Sequence, residues 1–280
     1  MKVRMYNVGF GDCFCLRDRK KSLLVDFGTN NSRIEGRPRR EIFDVIISDL
    51  STIKSKNLLL THFHMDHLSG LLYMMKKKDI SVDFGKIYLP DVFSKKEMSR
   101  TLVLLLLADL LKESGLPSRQ VSLFALVDAL LENKQNVELL SRGKLFENKY
   151  QALWPDTDVI RKETDEVYNR ICEDGKFKEV MDVLLEFAEK LRLIVWSMTA
   201  EGNKPAETVE KETDSTASEL TEQPEVRQKI IRAYVYEREF RRIKALPDFK
   251  KLLAWLNENQ INLRQFKHKI SIVFQNAREI

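Results

Sequence analysis

Leu58-Leu59-Leu60-Thr61-His62-Phe63-His64-Met65-Asp66-His67-Leu68-Ser69-Gly70 is the stretch on which the fold turns. Three of the chain's four histidines fall within six residues here, with an aspartate among them. The apolar residues 58–60 read as the end of a buried strand, and Leu68, Leu71, Leu72, Met74 and Met75 are spaced for one face of a helix. The polar cluster therefore sits on a strand-to-helix turn, where local backbone geometry can aim several side chains at one point. His62 and His64, two residues apart in the extended part, project to the same side. Asp66 and His67 follow in the turn. Imidazole and carboxylate donors together suit zinc, manganese or iron, with neutral imidazole as the donor form.

Working outward, residues 2–8 and 12–17 alternate as two strands around the turn Gly9-Phe10-Gly11-Asp12. Residues 22–27 form a third strand, rich in Leu and Val, that ends at Asp26. Residues 30–40 make a polar, basic loop. Ile42, Val45, Ile46, Leu50 and Ile53 then give residues 41–53 a mostly apolar helical face. The histidine-bearing strand follows, then a helix to about residue 78 and a strand over residues 86–90. Antiparallel strands followed by strand–helix units predict an α/β core.

The stretch resembles the His-x-His-x-Asp-His signature of the metallo-β-lactamase superfamily. Met5-Tyr6-Asn7-Val8-Gly9-Phe10-Gly11-Asp12-Cys13-Phe14 resembles the first hairpin of the branch that includes the hydrolase domain of bacterial DNA-uptake proteins. Leu23-Leu24-Val25-Asp26-Phe27-Gly28 is similar to the family's next strand. The resemblance covers residues 1 to about 90 and implies an αββα sandwich with metal-assisted hydrolysis. His62, His64, Asp66 and His67 are the implied metal ligands: the first two for one ion, the last two for another. Asp66 is also the expected catalytic residue, orienting a water. Asp26, at its strand end, is either a turn residue or a hydrogen-bonding support for the histidine loop. Zinc is the expected metal, two ions in a complete site, with manganese or iron as alternatives.

The rest of the chain departs from that pattern. Residues 94–135 are helical and leucine-heavy, an expected insertion whose residues 102–111 are apolar nearly all round, as in a buried helix. Residues 136–156 hold two strands returning to the core, the second of which resembles a family strand that ends in a proline near the active site. Residues 157–199 are helical again. Residues 199–225 carry eight acids and two bases, a net of −6 without apolar periodicity. Such a stretch buries too little apolar surface to offset its ordering entropy. Residues 200–225 are therefore expected to be a disordered acidic loop. Residues 227–251 invert the charge, with nine Lys or Arg against three acids, a net of +6. This basic helical segment, taken as residues 226–262, interleaves Tyr234, Tyr236 and Phe240 with Arg238, Arg241 and Arg242. It is either a phosphate-tracking face or a solvated face balancing the acidic loop. The final segment, residues 263–280, holds a strand over residues 268–274, which resembles the family strand before a metal-bridging Thr-Gly-Asp turn. The sequence ends at Ile280 before any such turn, and His268 stands apart from the family's downstream ligand positions. The core is thus expected to be incomplete at its C-terminal side: either ligands come from beyond Ile280 or from a protein partner, or the chain is a natural short form with a weakened site.

At 280 residues, 43 % hydrophobic and 32 % charged, the composition is that of an ordinary globular protein. Three cysteines, two of them in one predicted strand, make no disulfide framework, which suits a reducing cytoplasm. No leader is visible, and the apolar residues 103–107 are cut off by Asp109 far short of a membrane span. Three functional classes remain open. One is a zinc-dependent phosphodiesterase or nuclease acting on nucleic acid or a nucleotide. The others are a catalytically impaired interaction subunit that keeps the fold and a hydrolase of small metabolites.

Overall fold

A computed structural model describes residues 1–18, 21–77, 83–113, 122–173, 175–200, 241–263 and 269–277. The chain divides into two compact units. Residues 1–91, 132–155 and 270–280 form the first; residues 92–131 and 156–269 form the second.

In the first unit, β1 (Lys2–Met5), β2 (Phe14–Asp18) and β3 (Lys21–Val25) form an antiparallel meander. A two-stranded hairpin, β4 (Arg33–Ile34) and β5 (Arg37–Pro38), leads into α1 (Arg39–Ser51). The chain then adds β6 (Ser55–Leu59) parallel to β3, crosses through α2 (Met65–Met75), and adds β7 (Ile87–Pro90) parallel to β6. It leaves for α3 (Ser99–Glu113) and α4 (Ser122–Glu132) and returns as β8 (Val137–Leu140) beside β7. The resulting mixed sheet has the order β1-β2-β3-β6-β7-β8. A second sheet is built from β9 (Leu145–Phe146), β10 (Tyr150–Trp154) and, after α5 (Thr157–Cys172), α6 (Lys178–Ser197) and α7 (Pro247–Glu258) of the second unit, β11 (Val273–Asn276).

Leu58, Leu59 and Leu60 are fully buried although neighbouring strand residues face opposite ways. Parallel strands covered on both faces have this continuous apolar character. One cover is the second sheet: Leu23, Val25, Leu59, Tyr88 and Leu140 meet Phe146, Tyr150, Ala152 and Ile272 in one cluster. The other is the helix layer. Right-handed crossovers β3-α1-β6 and β6-α2-β7 place both helices on the same face. There α1 buries Phe43, Ile46, Ile47 and Leu50, and α2 buries Leu68, Leu71, Leu72 and Met74. Each such side chain, fully buried, stabilises the fold by about 1.5–3 kcal/mol. The α/β class and its helix–sheet–sheet layering follow.

The second unit is helical. Residues 102–107 of α3 are all buried, as an all-round apolar helix requires. The α5 N-terminus is capped by the Asp156 carboxylate, which accepts from the Asp158 and Val159 amides. Among the described residues, no helix is long and apolar enough to cross a membrane.

The structure shifts several expected elements. β1 ends at Met5, not residue 8, and β2 starts at Phe14, with one further cross-strand bond from the Tyr6 amide to the Cys13 carbonyl before the chain turns. β3 stops at Val25 because Asp26 takes φ 55°. The loop expected over residues 30–40 contains the β4–β5 hairpin, whose two turn residues, Glu35 and Gly36, both have positive φ, as a tight primed turn needs. The last strand lies at Val273–Asn276, not over residues 268–274, because the Ile272 amide bonds the Thr61 carbonyl instead of β10. Residues 201–225 of the expected acidic loop, Arg238 and His268 lie outside the described residues. Arg241 and Arg242 are exposed.

Candidate metal centre

The site is assembled where β3 and β6, adjacent and parallel, both end. Val25 lies opposite Leu59, so the next residues leave the sheet side by side. The Asp26 amide donates to the Leu59 carbonyl at 2.8 Å, and its left-handed backbone turns the carboxylate under the loop that follows β6. Aspartate tolerates that conformation better than most residues.

Asp26 is 2 % exposed and saturated with hydrogen bonds. Oδ1 accepts from the Thr61 amide at 2.8 Å. Oδ2 accepts the Thr61 hydroxyl at 2.7 Å and faces His67 Nδ1 at 2.9 Å. Burial, the largest influence, leaves its pKa above the ordinary carboxylate value, although the His67 and Thr61 contacts favour the charged form. Its hydrogen bonds to Thr61 and His67 organise the loop.

These bonds assign the imidazole protons. The carboxylate can only accept, so His67 carries its proton on Nδ1. The Thr61 hydroxyl gives its one hydrogen to Asp26, so its oxygen, 3.0 Å from His62 Nδ1, accepts from that nitrogen. In its neutral form each ring then carries its lone pair on Nε2. The rings of His62 and His67 are 3.7 Å apart between centroids, and those of His62 and His64 are 4.8 Å apart, edge to face. Asp66 Oδ2 stands 3.9 Å from His67 Nε2. His64 is the N-cap of α2, and Asp66 lies in its first turn, where the helix end favours negative charge.

The structure thus places the His62 ring beside those of His64 and His67, and Asp66 beside His67, while Asp26 bonds Thr61 and His67. The donor types suit a divalent transition metal: imidazoles on His62, His64 and His67, two of them hydrogen-bonded from behind, and a partly exposed carboxylate beside His67. Burial works to lower the His67 pKa, but the hydrogen bond and charge of Asp26, with Asp66 and Asp12 further off, outweigh it and hold it above its ordinary value.

Asp12, read from sequence only as part of a turn, also arrives here. Its Oδ2 is 3.6 Å from His67 Nδ1, and the ligand atoms of Asp12, Asp26 and His67 lie within 4.8 Å of one another. The turn is locked by backbone contacts. The Asp12 amide donates to the Asp66 carbonyl, the Gly28 amide to the Asp12 carbonyl, and the Phe27 amide to the His67 carbonyl. A Cβ on Gly28 would stand 2.6 Å from the Asp66 carbonyl, and one on Gly11 2.2 Å from the Gly28 carbonyl. The adjacent Gly11-Asp12 and the stretch Asp26-Phe27-Gly28 were the sequence signs of this close approach.

No curated protein matches the chain. Residues 6–91, which contain the whole cluster, match the family model described as metallo-beta-lactamase superfamily. That match, with the sheet order and the cluster at the ends of β3 and β6, supports this superfamily, most of whose members are metal-dependent hydrolases, for the first part of the chain.

Proposed function

We propose that this protein is a zinc-dependent hydrolase of phosphodiester bonds, acting on nucleic acid or a small nucleotide in the cytoplasm. The observation that supports the metal reading is the packing of the His62, His64 and His67 rings beside the Asp66 carboxylate, with buried Asp26 bonded to Thr61 and His67 behind them. His62, His64, Asp66 and His67 would hold the metal. When bound, it lowers the pKa of a coordinated water and balances charge that builds on the attacked phosphorus. Asp26 keeps the two imidazoles in their ligand form, His67 directly and His62 through Thr61. Asp66, 30 % exposed at its side chain, is placed to orient a water and to accept its proton. Support for a phosphodiester comes from the upstream hairpin and from the basic segment at residues 227–251.

The test is metal content and hydrolysis together. Purified protein loaded with zinc is expected to hydrolyse bis(p-nitrophenyl) phosphate or a short oligonucleotide, and His64→Ala to lose most of the bound zinc and the activity. Unchanged zinc stoichiometry in His64→Ala would sink the ligand assignment. Zinc binding without hydrolysis of either substrate would favour an interaction subunit or a hydrolase of other small metabolites.

A further inference from the structure

We propose that Asp12 is a positioning residue of this centre, a second carboxylate behind His67 that strengthens Nε2 as a metal donor. The inference rests on the metal reading above and extends it to a residue that neither the His-x-His-x-Asp-His stretch nor Asp26 includes.

Three observations carry it. First, Asp12 Oδ2 lies 3.6 Å from His67 Nδ1, on the side of the ring that already faces Asp26 at 2.9 Å, whereas Asp66 lies toward Nε2. At that distance Asp12 acts through its charge, since the Nδ1 proton is committed to Asp26. Negative charge behind Nδ1–H raises the electron density at the opposite nitrogen and so its basicity as a ligand. Second, the placement is built into the backbone. The Asp12 amide and carbonyl are bonded to Asp66 and Gly28, and Gly11 leaves no room for a side chain between them. The carboxylate is therefore held beside His67 by the loop that carries Asp66 itself. Third, His67 is the side chain with which Asp12 pairs among the described residues, although the Asp12 side chain is 42 % exposed. An exposed carboxylate with a fixed backbone and one imidazole in reach tunes that imidazole.

The test uses Asp12→Asn, which keeps shape and hydrogen-bonding capacity and removes the charge, and Asp12→Glu, which restores the charge. Zinc affinity is measured by competition with a chromophoric chelator on the full chain. Nitrogen-15 chemical shifts of the His67 ring are recorded in the metal-free protein. Asp12→Asn is expected to weaken zinc binding by about 10-fold, the lower end for partners behind a ligand. Asp12→Glu is expected to recover part of that loss. The His67 ring shifts should move in Asp12→Asn while Nδ1 stays protonated. A merely structural Asp12 would leave the folded variant's ring shifts unmoved and would not distinguish Asn from Glu. Wild-type zinc affinity in Asp12→Asn would overturn the assignment to Asp12 alone. Failure of the unaltered protein to bind zinc would overturn the metal reading, and this assignment with it.

Discussion

At His67, three carboxylates surround one imidazole, and the raised pKa has a direction that can be followed. In the metal-free protein the charged ring contributes stability that is fully present below the unfolded value of about 6.5 and is lost as pH rises through the raised folded value. The denaturation midpoint of metal-free protein should therefore fall as pH climbs from mildly acid to mildly alkaline, and His67→Gln should flatten that slope. An equal slope in wild type and variant would assign it to other groups. Metal competes with the same proton, so zinc loading in weak buffer should release protons. Asp26→Asn is a harsher change. It removes the anion that accepts from Thr61 and His67, and an unsatisfied buried group costs about 1–3 kcal/mol. A lower unfolding midpoint together with weaker zinc binding is expected; a shift in neither would show that the loop organises itself. The histidines and Asp66 were legible because their spacing is local. Asp26 could be placed at a strand end but left between turn residue and support, since its partners Thr61 and His67 are 35 and 41 residues away. Asp12 was missed because an aspartate after glycine reads as a turn, and only the fold brings it to His67.

Elements position the centre by ending together. β3 and β6 stop within one residue of each other, and β11 adds a hydrogen bond from just before its start, Ile272 N–H to the Thr61 carbonyl at 2.7 Å. Gly28→Ala pushes a methyl group into the Asp66 carbonyl and the Leu68 amide, both backbone atoms that cannot swing aside. Overpacking of this kind costs about 1–3 kcal/mol, and here it also shifts the loop that carries Asp66. The expected result is a lower unfolding midpoint and reduced zinc affinity in the same variant. Retention of wild-type affinity would show that the loop tolerates displacement. The parallel strands and α1 were readable from apolar runs and helical spacing. The β4–β5 hairpin was not, because Glu-Gly is a weak turn signal beside Asn-Gly or Asp-Gly. The start of β11 was misplaced because alternation continues through residues 270–272, and nothing local says that Ile272 bonds the histidine loop.

Over the whole chain, charge is distributed in blocks: net −6 over residues 199–225 and net +6 over residues 227–251. If the basic block engages a polyanion, oligonucleotide affinity must fall steeply with salt, because neutralised phosphates release counterions. Replacing Arg238, Arg241 and Arg242 by glutamine should weaken binding and flatten that salt slope. Salt-independent or absent binding would leave the block as a solvated face. The α/β class was legible from the first 90 residues, where strand and helix signals alternate cleanly.

The bond between Thr61 and Ile272 also has a consequence for biosynthesis. The histidine loop leaves the ribosome long before the residue that closes over it, 211 positions later from 61 to 272. At about 5–20 residues per second, that leaves roughly 10–40 s in which the nascent chain carries its histidines on a loop without its last brace. Ribosome-bound chains stalled before residue 272 should then expose this loop to protease and chelate metal loosely, and release past β11 should tighten both.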